Sequence, residues 1–124
     1  VSWAKTPQAR VAVWVREAFS EKAARNVQER ALRAVEEIVE LAQVAGVTAE
    51  TLHRLVDYVF GRPPGTAKSE VAGSMVTLYA VAEALSVDAD DALEAELVRL
   101  QQPEVIERCR RRQAEKRAAL VGIL

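Results

Sequence analysis

The sequence predicts an all-α fold, an antiparallel bundle of about five helices forming one domain over residues 1–124. Three observations predict it. The 124 residues are 50% hydrophobic, 28% charged and only 5% aromatic. This Ala, Val, Leu, Glu and Arg-rich mixture is too apolar for a disordered chain and too poor in Thr, Tyr and Ile for an all-β one. Apolar residues recur at helical rather than alternating spacing. Breakers are scarce, five Gly and four Pro, so long segments alternate with brief connections, and such connections favour antiparallel neighbours.

The first helix is expected over roughly residues 8–22. It opens behind Pro7, whose missing N–H costs little in a first turn, and places Val11, Val15, Ala18 and Phe19 on one side with Trp14 beside them. A second helix, from about Arg25 to Ala45, ends at Gly46, the residue type best suited to a left-handed helix end. Thr48 is the expected N-cap of a short third helix running through about Phe60. Gly61-Arg62-Pro63-Pro64-Gly65 forms the one evident irregular loop. Ser69 is the expected cap of a fourth helix continuing to Leu85, with a start nearer Ala67 as the alternative. Asp88 or Asp90 opens a fifth segment carrying Ala92, Leu93, Ala95, Leu97, Val98 and Leu100. Pro103 either kinks that segment or begins a sixth. The last helix carries Val105, Ile106 and Cys109 among charges, and Ala118 to Leu124 form an apolar tail expected to fray or to lie against another subunit.

Charge narrows the function. Seventeen basic and eighteen acidic side chains leave a net charge of -1, so no global positive field gathers nucleic acid. A helix-turn-helix using Arg108 to Arg117 on a phosphate backbone is therefore disfavoured, although that stretch holds six bases and one acid while Glu83 to Glu96 holds six acids and no base. Cys109 is the one cysteine and His53 the one histidine, which removes an internal disulfide and a soft-metal site. No apolar run approaches the ~20 residues of a membrane helix, so a soluble, cytoplasmic protein with neither nucleic acid nor membrane as partner is expected.

The informative cluster is Arg33-Ala34-Val35-Glu36-Glu37-Ile38-Val39-Glu40-Leu41. At about 100° per residue, Glu36, Glu37 and Glu40 share an arc of roughly 100°. Arg33 falls in the same arc, while Ala31, Val35, Ile38 and Ala42 make an apolar stripe elsewhere on the helix. Carboxylates so crowded repel one another unless cations offset them. Further along, Glu70 is the one acid between Asp57 and Glu83, an isolated acid of the kind expected to be buried and partnered. Gly73 follows it inside a helix, where glycine costs roughly 1 kcal/mol relative to alanine, so close helix packing or room for a ligand must compensate. If the second and fourth helices face each other, Glu37, Glu40 and Glu70 converge with Glu36 nearby. Such an oxygen-only set suits Mg²⁺ or Mn²⁺ and a phosphate-bearing substrate.

These residues resemble the MazG-like branch of the all-α nucleoside triphosphate pyrophosphohydrolases, known for a metal-binding Glu-x-x-Glu on one helix and Glu-x-x-Asp on a later one. Glu37-Ile38-Val39-Glu40 looks like the first motif and Glu70-Val71-Ala72-Gly73 aligns with the second, with Gly73 where the family usually has Asp. The segment Leu55-Val56-Asp57-Tyr58-Val59-Phe60-Gly61-Arg62-Pro63-Pro64-Gly65, with Val76-Thr77-Leu78, is similar to a bacterial and phage sub-branch in which Gly also occurs at that position. The likeness covers about residues 30–116. It implies hydrolysis of a nucleoside triphosphate, with purine deoxynucleotides as candidates, to the monophosphate and pyrophosphate. The expected metal ligands are Glu37, Glu40 and Glu70, with Glu36 or Glu40 accepting a proton from water. Arg62, Lys68 and Arg33 are the expected phosphate-binding cations, the Arg108 to Arg112 cluster is secondary, and Asp57 is a possible substitute for the missing Asp. A homodimer or homotetramer is expected, because one small bundle buries limited apolar area. The alternative is a catalytically silent MazG-like binding or assembly module, which Gly73 favours.

Overall fold

A computed structural model of the chain describes residues 6–119; residues 120–124 of the expected apolar tail lie outside the described part. Among the described residues there are seven helices and no strand. They are α1 (Pro7–Ala18), α2 (Glu21–Arg25), α3 (Val27–Val44), α4 (Ala49–Phe60), α5 (Ala67–Ala84), α6 (Ala89–Leu100) and α7 (Pro103–Ala119). The all-α class is as expected, with a finer division than the five or so helices of the sequence reading.

Polar side chains make the extra breaks. Ser20 accepts a hydrogen bond from the Ala23 amide at 3.0 Å, so the expected first helix stops near Phe19 and a short second one begins. Asn26 likewise accepts from the Glu29 amide at 3.1 Å and starts α3. A hydroxyl or amide oxygen that satisfies an orphan N–H in this way outcompetes continuation of the helix. Thr66, not Ser69, caps α5, accepting from the Ser69 amide at 3.3 Å. Pro103 begins α7 rather than kinking α6.

One helix-ending device appears twice. Gly46 at φ 90° donates to Gln43 O while Val47 donates to Ala42 O, closing α3. Ser86 at φ 58° donates to Glu83 O while Val87 donates to Ala82 O, closing α5. Both pairs form the crossed bonds that satisfy terminal carbonyls, and each runs directly into the cap of the next helix, Thr48 for α4 and Asp88 for α6. Only the first carries glycine; Ser86 accepts the steric cost of a left-handed residue.

The chain divides into two compact units. The first comprises the described residues up to Ala34 together with those from Leu93 onward. Here α1 packs on α2 and α7, and Val15, Ala18, Ala23, Leu97, Val105 and Ile106 are buried. Trp14 meets Phe19 edge-on, with ring centroids 5.4 Å apart, and the Arg30 guanidinium lies 5.3 Å from the Phe19 centroid. Arg110 reaches back to the end of α1, donating to Ala18 O at 2.7 Å and Glu17 O at 2.8 Å. A cation on exposed terminal carbonyls completes their hydrogen bonds and complements the helix dipole.

The polar centre of this unit is Glu29, only 4% exposed. Its carboxylate accepts two hydrogen bonds from Arg117, at 2.8 and 2.9 Å, and others from Gln113 and Asn26. A buried carboxylate persists only when its lone pairs are so occupied. The Arg117 hydrogen bonds hold the Glu29 carboxyl below its ordinary value of 4.5 against the opposing effect of burial.

The second unit, residues 35–92, is built otherwise. Neither α4 nor α5 buries a residue. Val35 and Ile38, on the expected apolar stripe of α3, are both half exposed. The reason is physical: within this unit no element covers Val35 or Ile38, so their helical periodicity is real while their burial is left undone.

Because the Glu29 carboxyl is depressed on folding, the stability it contributes is present above about pH 4.5 and disappears as pH falls through its folded value. Glu29→Ala is expected to lower unfolding free energy by about 2 kcal/mol at neutral pH. In urea unfolding followed by Trp fluorescence, the variant should lose that share of the acid sensitivity.

Candidate metal centre

The helix α3 runs without interruption through Glu36, Glu37 and Glu40, so the three carboxylates share one face as the spacing requires. Glu37 and Glu40 are exposed and Glu36 is partly buried. Among the described residues, the carboxylates of Glu37, Glu40 and Glu70 have no hydrogen-bond or ion-pair partner.

Glu70 sits in the first turn of α5, where a negative charge is favoured by the helix dipole. It is exposed, contrary to the expectation of a buried acid. Its side chain folds back on the Pro/Gly loop. A Cβ placed on Gly65 would overlap Oε1 of Glu70 and lie 3.3 Å from its Cδ. The glycine ending Arg62-Pro63-Pro64-Gly65 therefore leaves the space in which the Glu70 carboxylate rests.

The same loop holds a cation. The Arg62 guanidinium lies over the Tyr58 ring at 4.5 Å from its centroid, a stacking that restrains the side chain while leaving donors free. Arg62 and Lys68 are both exposed, flanking the Pro/Gly loop just before Glu70. Arg33 is partly buried on the first-unit stretch of α3. The Arg110 guanidinium, one of the secondary phosphate candidates, is engaged in capping α1. Asp57 is exposed on α4.

The structure does not bring all of these together. Among the described residues, no group of three or more His, Cys, Asp or Glu is gathered closely enough to hold a metal ion within the single chain. Helix α5 buries nothing, so no packing draws its first turn onto the glutamate face of α3. Gly73, expected to serve close helix packing or a ligand, has open space around it: a Cβ there would meet nothing within 4 Å. Packing inside this chain is therefore not what Gly73 serves.

Two arrangements lie beyond what the sequence reading found. The Glu29 cluster joins residues 88 positions apart in sequence, and no local pattern marks that pairing. A shallow cavity of about 400 Å³ is lined by Tyr79, Glu83, Ser86, Asp88 and Asp90 among others. Within it the Tyr79 hydroxyl donates to Asp90 Oδ1 at 2.6 Å, which raises the phenol above its ordinary value. The repeated helix end that forms this wall was legible in Val47-Thr48-Ala49-Glu50 and Val87-Asp88-Ala89-Asp90.

In comparisons with known proteins, no family model, no curated protein and no solved structure matches the chain. Among the described residues, no single helix is long and apolar enough to cross a membrane.

Gly65→Ala tests the loop's part. The clash falls on the far end of a flexible side chain, so the melting temperature should hold within about 2 °C. Mn²⁺ affinity, read by titration calorimetry, is expected to fall several-fold. Unchanged affinity would show that the resting place of Glu70 has no part in cation binding.

Proposed function

We propose that the chain is a metal-dependent nucleoside triphosphate diphosphatase, hydrolysing a triphosphate, with purine deoxynucleotides as first candidates, to the monophosphate and pyrophosphate. The observation that carries this reading is the unpartnered carboxylate pair Glu37 and Glu40 on one face of α3. Like charges at this helical spacing cost roughly 0.2–0.5 kcal/mol, which a bound cation would offset. The resemblance to MazG-like enzymes supports the same reading through Glu37-x-x-Glu40, the Arg62-Pro63-Pro64-Gly65 loop and Glu70.

The donor set is all carboxylate oxygen and exposed, which suits a hard cation such as Mg²⁺ or Mn²⁺. Glu37, Glu40 and Glu70 would hold it, once Glu70 is brought to the α3 pair. When bound, the cation supplies positive charge against the triphosphate and makes water a stronger acid. The remaining steps belong to side chains. Arg62 and Lys68 bind the β and γ phosphates from the loop side, and Arg33 is the third cation of this proposal. Glu36 or Glu40 accepts the proton of the attacking water. The new bond joins water oxygen to the α phosphorus, the α–β bridging bond breaks, and pyrophosphate leaves with its charge met by the two loop cations. No covalent enzyme intermediate is required.

A silent binding or assembly module is the second reading, and Gly73 favours it, because the family's usual fourth carboxylate is missing there. Incubation with each dNTP plus Mg²⁺ or Mn²⁺, followed by pyrophosphate measurement, separates the two. Turnover is expected with at least one nucleotide, and Glu40→Gln should lower it at least a hundredfold, on the order of 3 kcal/mol in the barrier, with the far-UV circular dichroism retained. Absence of turnover with every nucleotide, in folded and metal-loaded protein, establishes the silent module instead.

A further inference from the structure

We propose that Tyr58 is a positioning residue of the phosphate site, its ring fixing the Arg62 guanidinium where a triphosphate can meet it. The inference rests on the function proposed above in one respect, that Arg62 is a phosphate ligand.

The backbone brings the two side chains together. Helix α4 ends at Phe60, and the next two amides extend its last turn: Gly61 donates to Asp57 O at 3.0 Å and Arg62 to Val59 O at 3.1 Å. Arg62 therefore stands one helical turn beyond Tyr58, the separation at which side chains meet along a helix. Its guanidinium lies over the Tyr58 ring, 4.5 Å from the centroid. A second cation, Arg54, has the same spacing on the other side of Tyr58, but it donates to Glu50 Oε1 at 2.8 Å. Arg54 is held in that ion pair, and the ring is left to Arg62.

Two acids flank Arg62 in sequence, Asp57 and Glu70, and among the described residues neither pairs with it. Glu70 rests against Gly65 instead. An arginine paired with a carboxylate must break that pair before it binds phosphate. One held on a ring need not, because the ring engages the face of the guanidinium and leaves its N–H edge open. Pro63 and Pro64 stiffen the chain that follows, so the stack removes much of the side-chain freedom that phosphate binding would otherwise have to take away. Tyr58 is itself 62% exposed, and the stack, not burial in a core, is what its ring provides.

The test uses the full chain with inorganic tripolyphosphate and Mg²⁺, binding being read by titration calorimetry. A cation on a ring at an exposed site is worth about two- to fivefold in an equilibrium. Tyr58→Leu, which keeps a good helix former and removes the ring, is expected to weaken binding by about that factor. Tyr58→Phe should bind as the wild type does, and Tyr58→Leu should add nothing in an Arg62→Ala background. Wild-type affinity in Tyr58→Leu, an equal loss in both backgrounds, or no binding by the wild-type chain overturns the proposal. Nucleotide turnover whose kcat/KM Tyr58→Leu leaves unchanged removes this inference and keeps the enzyme. Coupled tripolyphosphate binding in a chain that hydrolyses no nucleotide keeps the positioning role and removes the enzymatic reading.

Discussion

The constraint on which the rest depends is that residues 35–92 do not bury their own apolar surface. In the first unit, Val15, Ala18, Leu97, Val105 and Ile106 are buried, and Arg110 of α7 donates to the carbonyls that end α1. In the second, α4 has a clear apolar stripe, α5 is largely apolar without one, and both have well-formed caps at Thr48 and Thr66, yet neither has a buried residue. Local signals are enough to start and stop a helix, but tertiary packing supplies most of its stability. The second unit therefore has secondary structure without a core of its own.

Much of this was legible in the sequence. The α class followed from composition and spacing, Gly46 and Thr48 marked a helix end and a helix start, and the Arg62 to Gly65 loop was evident from its breakers. The helix start expected at about Arg25 falls just after Asn26, but the break at Ser20 was not anticipated, because serine breaks a helix only when its side chain turns back on the backbone, a choice that tertiary surroundings settle. The apolar stripe through Val35 and Ile38 was legible from helical spacing, whereas the half exposure of both residues was not. Periodicity reports that a face wants covering; it carries no information on which molecule covers it.

The candidate site was legible in the same partial way. Helical spacing puts Glu36, Glu37 and Glu40 on one face with no knowledge of the fold. The exposure of Glu70 and its place against Gly65 depend on a loop conformation that spacing does not encode. The arginines divide by what lies near them: Arg110 and Arg117 are occupied by α1 carbonyls and by Glu29, whereas Arg62 is stacked on Tyr58 with donors to spare. Telling which arginines are already engaged within the chain thus required coordinates, and the proposed site draws on the loop cations for that reason. Gly65 and Gly73 divide similarly, one making room for a side chain of the same chain and the other facing open space.

Hydrogen exchange measured at low protein concentration tests the central claim most directly. If residues 35–92 have no core of their own, amides of α4 and α5 should exchange much faster than those of α1 and α7. Exchange in α4 and α5 as slow as in α1 and α7 would contradict it, because the unit would then be stable by itself.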